Sequence, residues 1–214
     1  MNPRYLYKVF SEKTYAEQFI NDGVVRFSTL SYFKSIEDDA RVDSTEGHGR
    51  VLTVGESLVV NIKNKTITSI PGVENVHVDG GEKSSFIYCV SSPQSERLQD
   101  LPRKFGKYVV RIKDPDLFFE DIKSAMLNDK NLERNRPELK RALVRYDKGE
   151  HIKDLTEDEK ENLGWSQKPG SYSNEFEYRY RFSFLHELID SPDHYFITIG
   201  KKLSYSELIT RMDK

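Results

Sequence analysis

The run Tyr5-Leu6-Tyr7-Lys8-Val9-Phe10, with Ser11, residues 12–21, Gly23 and Val24-Val25-Arg26-Phe27-Ser28 behind it, decides the fold class. Its first six residues mix aromatic and aliphatic groups in the manner of a strand. Ser11 is placed to cap a helix over residues 12–21, whose Tyr15, Phe19 and Ile20 lie on one face, and Gly23 is a stop. Residues 24–28 read as a second strand, followed by Thr29-Leu30-Ser31-Tyr32-Phe33. A strand–helix–strand opening followed by many short strands predicts an α+β chain.

Working outward, residues 37–50 are polar, lack a period and carry two glycines, which marks a surface loop. Residues 51–54, 58–62 and 65–68 form a strand meander. Gly80-Gly81 breaks the chain before a strand at 86–90, and 108–112 is a further strand. Asp114-Pro115 opens a helix with Leu117, Phe118, Ile122 and Met126 spaced for one face. Thr156-Glu157-Asp158-Glu159 looks like an acidic helix start. Residues 175–184 and 195–199 read as strands, and Ser204 is placed to cap a last helix through Met212. No repeat or low-complexity linker interrupts the chain, so residues 1–214 are expected to form a single domain.

Composition narrows the class. The chain has 214 residues, 33 Lys+Arg against 35 Asp+Glu, a net charge of −2 and an aromatic share of 12 %. Such aromatic content supports a buried core, which disordered chains lack. Apolar runs such as Tyr195-Phe196-Ile197 fall far short of the ~20 residues of a membrane span. The N-terminus lacks an apolar signal core, and the single Cys89 excludes an internal disulfide. A cytoplasmic protein with no membrane contact is the expectation. Near-neutral charge means that nucleic-acid binding would require a local patch.

No glycine-rich phosphate loop and no Gly-x-Ser-x-Gly elbow is present. Five histidines, at 48, 77, 151, 186 and 194, are unpaired at helical spacing, and no metal site is expected. The distinctive feature is Glu175-Phe176-Glu177. Two carboxylates at i, i+2 on a strand share a face, an arrangement used where chemistry or a cation requires it. The competing reading is an exposed edge strand whose Arg179 and Arg181 offset the charge. Cys89, central in an apolar strand, reads as buried and inert.

These residues carry a resemblance. The early Tyr-Leu-Tyr-Lys strand, a helix ending in Asn-Asp-Gly, the Val-Arg-Phe-Ser-Thr-Leu strand, the acidic loop 37–47, the strand at 88–91 and the block Lys168…Tyr172…Glu175-Phe176-Glu177-Tyr178-Arg179 recur in an uncharacterised bacterial family. Its members look like components of phage-defence or toxin systems. The layout resembles, more remotely, the ADP-ribosyltransferases, which place a His or Arg on an early strand, a Tyr or Ser-Thr-Ser on the next and a Glu-x-Glu on a late one. Ser28-Thr29 matches the middle element, with Leu30 in place of the final Ser. Glu175 and Glu177 match the late one. The early strand carries no His, and Arg4 precedes it.

The resemblance implies an ADP-ribosyltransferase-like pair of split β-sheets with flanking helices, and NAD as substrate. It implies a catalytic Glu177, with Glu175 positioning the acceptor, and Ser28 and Thr29 supporting that glutamate or holding the ribose. Tyr7 or Lys8 stands in for the early element, Tyr32 stacks on nicotinamide, and Arg26 meets the pyrophosphate or, alternatively, a surface carboxylate. Asp43 and Glu46 either bind a cation, shape the acceptor site or form a solvated loop.

Residues 101–153 hold 14 Lys/Arg against 9 Asp/Glu. The stretches 103–107 and 130–148 fit either an RNA- or DNA-binding patch or solvated helix faces. The resulting expectation is a toxin or anti-phage effector that modifies nucleic acid, RNA foremost, and has an antitoxin partner. The alternatives are a non-enzymatic binding module and a metal-dependent nuclease built on Asp43, Glu46, Glu175 and Glu177.

Overall fold

The opening segments fold where their patterns place them. β1 (Leu6–Phe10), α1 (Lys13–Asp22) and β2 (Val24–Thr29) follow in order. The computed structural model describes residues 3–35, 48–52, 57–61, 66–70, 75–79, 85–92, 106–133, 137–146, 155–184 and 192–209. Contacts divide the chain into two units: Met1–Thr29 with Lys83–Leu143 and Asn174–Lys214, and Leu30–Glu82 with Val144–Ser173. The loop carrying Asp43 and Glu46 lies outside the described residues, as do residues 103–105, 134–136 and 147–148 of the basic stretches.

The second unit contains α2 (Leu30–Ser35), which carries Tyr32, and four strands: β3 (His48–Leu52), β4 (Ser57–Asn61), β5 (Thr66–Ile70) and β6 (Asn75–Asp79). β4 pairs with β5 and β3 with β6, both antiparallel, so the meander is two nested hairpins. The first unit continues with β7 (Ser85–Ser91), β8 (Tyr108–Ile112), α3 (Pro115–Asn128), α4 (Lys130–Glu133) and β9 (Lys140–Leu143). α5 (Glu157–Asn162) belongs to the second unit. Its start is a full capping box, in which the Thr156 hydroxyl and the Glu159 carboxylate satisfy each other's backbone N–H. β10 (Glu177–Ser183), β11 (His194–Thr198) and β12 (Ser206–Ile209) complete the first unit.

The fold is α+β and its sheets are antiparallel. The eight-stranded sheet of the first unit turns on β7. Along one edge β7 pairs with β10 through seven positions, Glu177↔Ser91 to Ser183↔Ser85. Its other edge is shared: Ile87 and Phe86 pair with Ser28 and Thr29 of β2, while Ser91 pairs with Tyr7 of β1. The sheet therefore parts into two arms there, β2–β11 and β1–β8–β12.

Strand alternation sends one set of side chains inward. Leu6, Val25, Phe27, Phe86, Tyr88, Val110, Ile112, Tyr180, Phe182 and Ile197 form a core with Ala16 and Phe19 of α1 and Phe118, Ile122 and Met126 of α3. The helices thus cover one face of this sheet. α1 ends at Gly23, whose φ of 66° lets its N–H reach the Gln18 and Phe19 carbonyls. A Cβ there would lie 2.6 Å from that of Ile199. α3 begins with the Asp114 carboxylate accepting from the Leu117 N–H, and Pro115 follows at the first helical position. Its buried Asp121 accepts from Tyr205 Oη at 2.8 Å and Lys201 Nζ at 2.7 Å, tying α3 to the segment before β12.

Four local expectations are corrected. α1 is capped by Glu12 with no side-chain bond, because it starts one residue too late for Ser11 to reach its first N–H groups. Leu117 is 44 % exposed, since the buried stripe of α3 runs through Phe118, Ile122 and Met126. Residues 206–209 form β12 rather than a helix, because pairing with β8 from Ser206↔Ile112 to Ile209↔Val109 outweighs the local cap signal. The late strand begins at Glu177, not Glu175, and lies between β7 and β9 rather than at an edge. Glu175 ends a 3₁₀ helix, Gly170–Glu175.

Candidate functional site

The face of the eight-stranded sheet opposite its aromatic core is polar. Register aligns Glu207 of β12, Arg111 of β8, Tyr7 of β1, Ser91 of β7 and Glu177 of β10 in one row across five strands. Directly paired residues share a face, and neighbouring strands lie about 4.8 Å apart. Tyr7 and Glu177 are thus two strand spacings, about 10 Å, apart across the parting of the sheet. A second row contains His194 of β11, Ser28 of β2, Ile87 of β7, Arg181 of β10 and Lys140 of β9. Cys89 and Arg179 face each other between the rows.

Glu177 is 6 % exposed and Arg179 is 2 % exposed. Arg179 Nε donates to Glu177 Oε1 at 2.9 Å and Nη2 to Oε2 at 3.2 Å. This fork holds the carboxylate in one orientation, and the Cys89 side chain also bonds it. The charge that offsets Glu177 thus comes from Arg179 within a buried pair. Arg181 instead donates Nε and Nη2 to Ser85 Oγ, and burial lowers its guanidinium to about 10. Burial, then the nearby Glu177, pushes the Cys89 thiol well up, which disfavours the nucleophilic thiolate.

Between the glutamates sits Phe176, with φ of 45°, the one non-glycine residue at positive φ among the described residues. Its carbonyl accepts from Ser92 N at 2.7 Å and from Ser92 Oγ at 3.1 Å. The turn that ends the 3₁₀ helix and launches β10 is pinned to the end of β7 in a costly conformation. Strain of this kind gathers at functional sites.

Of the other residues singled out by the sequence, Tyr7, Arg26 and Ser28 lie on this outer face. Tyr7 is buried and its hydroxyl bonds Arg111; burial, then Tyr5, raises its phenol. Ser28 Oγ lies 3.0 Å from His194 Nδ1. Lys8 and Thr29 point the other way by strand parity. The Lys8 ammonium sits 4.5 Å over the Tyr88 ring and donates to the Cys89 carbonyl at 2.7 Å. Ser28 and Thr29, adjacent on a strand, therefore do not serve one ligand together. Tyr32 belongs to the second unit, edge-on to Phe33.

The sequence reading missed Arg111, Ser91, His194 and Glu207. Each becomes a neighbour only through strand register, and no local motif marks it. Arg111 and Lys113 both pair with Glu207, so the basic stretch is partly neutralised. Lys140, Arg141 and Arg145 likewise pair with Glu138, Asp116 and Glu159. Among the described residues no group of three His, Cys, Asp or Glu is placed to hold a metal ion. No described helix is long and apolar enough to cross a membrane.

Burial, and secondarily the charge of Arg26, lowers the His194 imidazole below its ordinary 6.5. Between that lowered value and 6.5 the unfolded chain binds the extra proton. The stability held by His194 is therefore complete above about pH 6.5 and is lost as the pH falls. An NMR titration should place His194 below 6.5, and Arg26→Gln should raise it part of the way. Titration at 6.5 or above would contradict this environment.

No family, curated protein or solved structure matches the chain.

Proposed function

We propose that the outer face around Glu177 cleaves NAD and transfers its ADP-ribose to an acceptor, and that the protein acts as a cytoplasmic bacterial toxin or anti-phage effector held in check by an antitoxin protein. The supporting observation is the strained, pinned turn at Phe176, which brings two glutamates to the end of a strand whose first residue shares a row with Tyr7. The parting of the sheet at β7, next to that row, fits the split sheets that the resemblance implies.

In this reading the bond between nicotinamide N1 and ribose C1′ breaks, and its electron pair leaves with nicotinamide. Positive charge develops on the sugar, as in glycoside hydrolysis. The Glu177 carboxylate, oriented by Arg179, stabilises that charge. The acceptor's nucleophilic atom forms the new bond to C1′ and gives its proton to Glu175, which also positions it. Tyr7 and Ser28 line the face on either side of the parting.

Incubation of the protein with labelled NAD and lysate, followed by separation of RNA, DNA and protein, is expected to show transfer and nicotinamide release. Glu177→Asp keeps the charge that Arg179 requires but withdraws the carboxylate by one methylene. A displacement of about 1 Å costs about 100-fold in rate, so turnover should fall by that order in a protein that still melts cooperatively. Wild-type protein that consumes no NAD, or a Glu177→Asp variant with unchanged turnover, would overturn the assignment.

A further inference from the structure

The outer face of β2 and β11 carries Val24, Arg26 and Ser28 on one strand and His194, Phe196 and Thr198 on the other, with Phe196 directly opposite Arg26. Phe196 is 56 % exposed and Arg26 is also exposed. Strand alternation gives Phe196 no place in the core, because Tyr195 and Ile197 on either side of it turn inward. Many described cations of the first unit are matched: Arg111 and Lys113 by Glu207, Arg141 by Asp116, Lys201 by Asp121 and Arg179 by Glu177. No described carboxylate pairs with Arg26, and neither strand presents a carboxylate on this face. An exposed ring thus stands beside an uncommitted guanidinium, with His194 diagonal to Arg26. The face continues through Ser28↔Ile87 to β7, and from there to Arg181 and Glu177 on β10.

We infer that this face is a docking platform for single-stranded nucleic acid, on which Phe196 stacks a base and Arg26 holds the adjoining phosphate. A ring stacks on any base, and a cation without a carboxylate partner suits a polyanion. A duplex hides its base faces and cannot use the ring. A protein partner would meet the same two groups, but among the described residues β2 and β11 present no carboxylate here to supply the mixed charges of a polar rim. The inference rests on the ADP-ribosyl transfer reading for the fate of the bound strand, which becomes the acceptor. The binding itself does not depend on that reading.

The test is fluorescence anisotropy of a labelled single-stranded RNA of about 12 nucleotides, within the span of such sites, without NAD and over a range of NaCl. Phe196→Ala is expected to weaken binding about tenfold. Arg26→Gln is expected to lower the slope of log K against log salt by about 0.7, the share of one phosphate on a single strand. Both positions are exposed, and unchanged melting would show that the fold is kept. Leu117→Ala, an exposed change on α3 at the opposite face of the sheet, should bind as wild type. Wild-type protein that binds no strand, or variants that bind like wild type, would overturn the platform. So would loss of protein modification in Phe196→Ala without any RNA binding, which would make the face a protein-docking surface. RNA binding that depends on Phe196, together with a Glu177→Asp variant of unchanged turnover, would support the platform while removing the catalytic reading.

Discussion

Replacing Arg179 with alanine is expected to cost about 3–5 kcal/mol of folding stability, the range for breaking a buried ion pair by removing one partner. Arg179 is 2 % exposed and its fork holds both oxygens of a carboxylate that is itself 6 % exposed. Its removal leaves the Glu177 charge without its counter-ion in a site with little access to water. Glu177→Gln commits the reverse fault, because the guanidinium is stranded beside a neutral amide. The double variant Glu177→Leu with Arg179→Met removes both charges and is expected to be more stable than either single change. Urea unfolding followed by circular dichroism measures these proteins together with the single changes Glu177→Leu and Arg179→Met, and the non-additivity of those two singles and their double gives the coupling of the pair. A loss below about 1 kcal/mol for Arg179→Ala would place the pair in the solvated class. The pair also sets which catalytic variant is informative: a dead Glu177→Gln protein could be a dead fold, whereas Glu177→Asp retains the charge.

The same pair shows where sequence reasoning stops. Glu177 and Arg179 at i, i+2 were legible as neighbours, because strand parity alone puts them on one face. That this pair is buried was not, since strand parity says nothing of what packs on a face, and the central place of β10 between β7 and β9 comes from pairing across the chain. Glu175 went the other way. The alternation of Phe176, Tyr178, Tyr180 and Phe182 extends back to it, but the positive φ at Phe176 interrupts the strand, and no residue type announces that φ. Where a local signal and a pairing signal agreed, as in β1, α1, β2, β8 and the start of α3, the elements were readable almost to the residue. Where they competed, as at Ser204, the long-range ladder of β12 with β8 prevailed. The outer-face rows were invisible for the same reason: between row neighbours, Arg111 and Tyr7, Tyr7 and Ser91, and Ser91 and Glu177 lie roughly 80 to 105 residues apart in the chain, and only register brings them into line.

Phe118→Ala is expected to cost about 3–5 kcal/mol, while Leu117→Ala, one residue away, should stay within about 0.5 kcal/mol of wild type. Phe118 is fully buried, and its ring meets four others: Tyr180 at 5.4 Å and Phe19 at 5.6 Å, both edge-on, Tyr88 at 6.1 Å and Tyr205 at 6.5 Å. It is the point at which α3 meets α1, the central strands β7 and β10, and the segment before β12. Truncation removes the area that the ring withdraws from water and leaves a cavity that four rigid rings cannot close. Leu117 lies on the solvent side of the same turn, and its N–H, not its side chain, serves the Asp114 cap. The contrast between adjacent residues is sharper than either value alone, since a helix rotated by one position would exchange the two results. The inner face thus carries stability through aromatic contacts, while the outer face of the same strands carries the charged groups. A folded Phe118→Ala protein, assayed well below its melting temperature, should keep the turnover and RNA binding of wild type, because the change leaves every outer-face side chain in place.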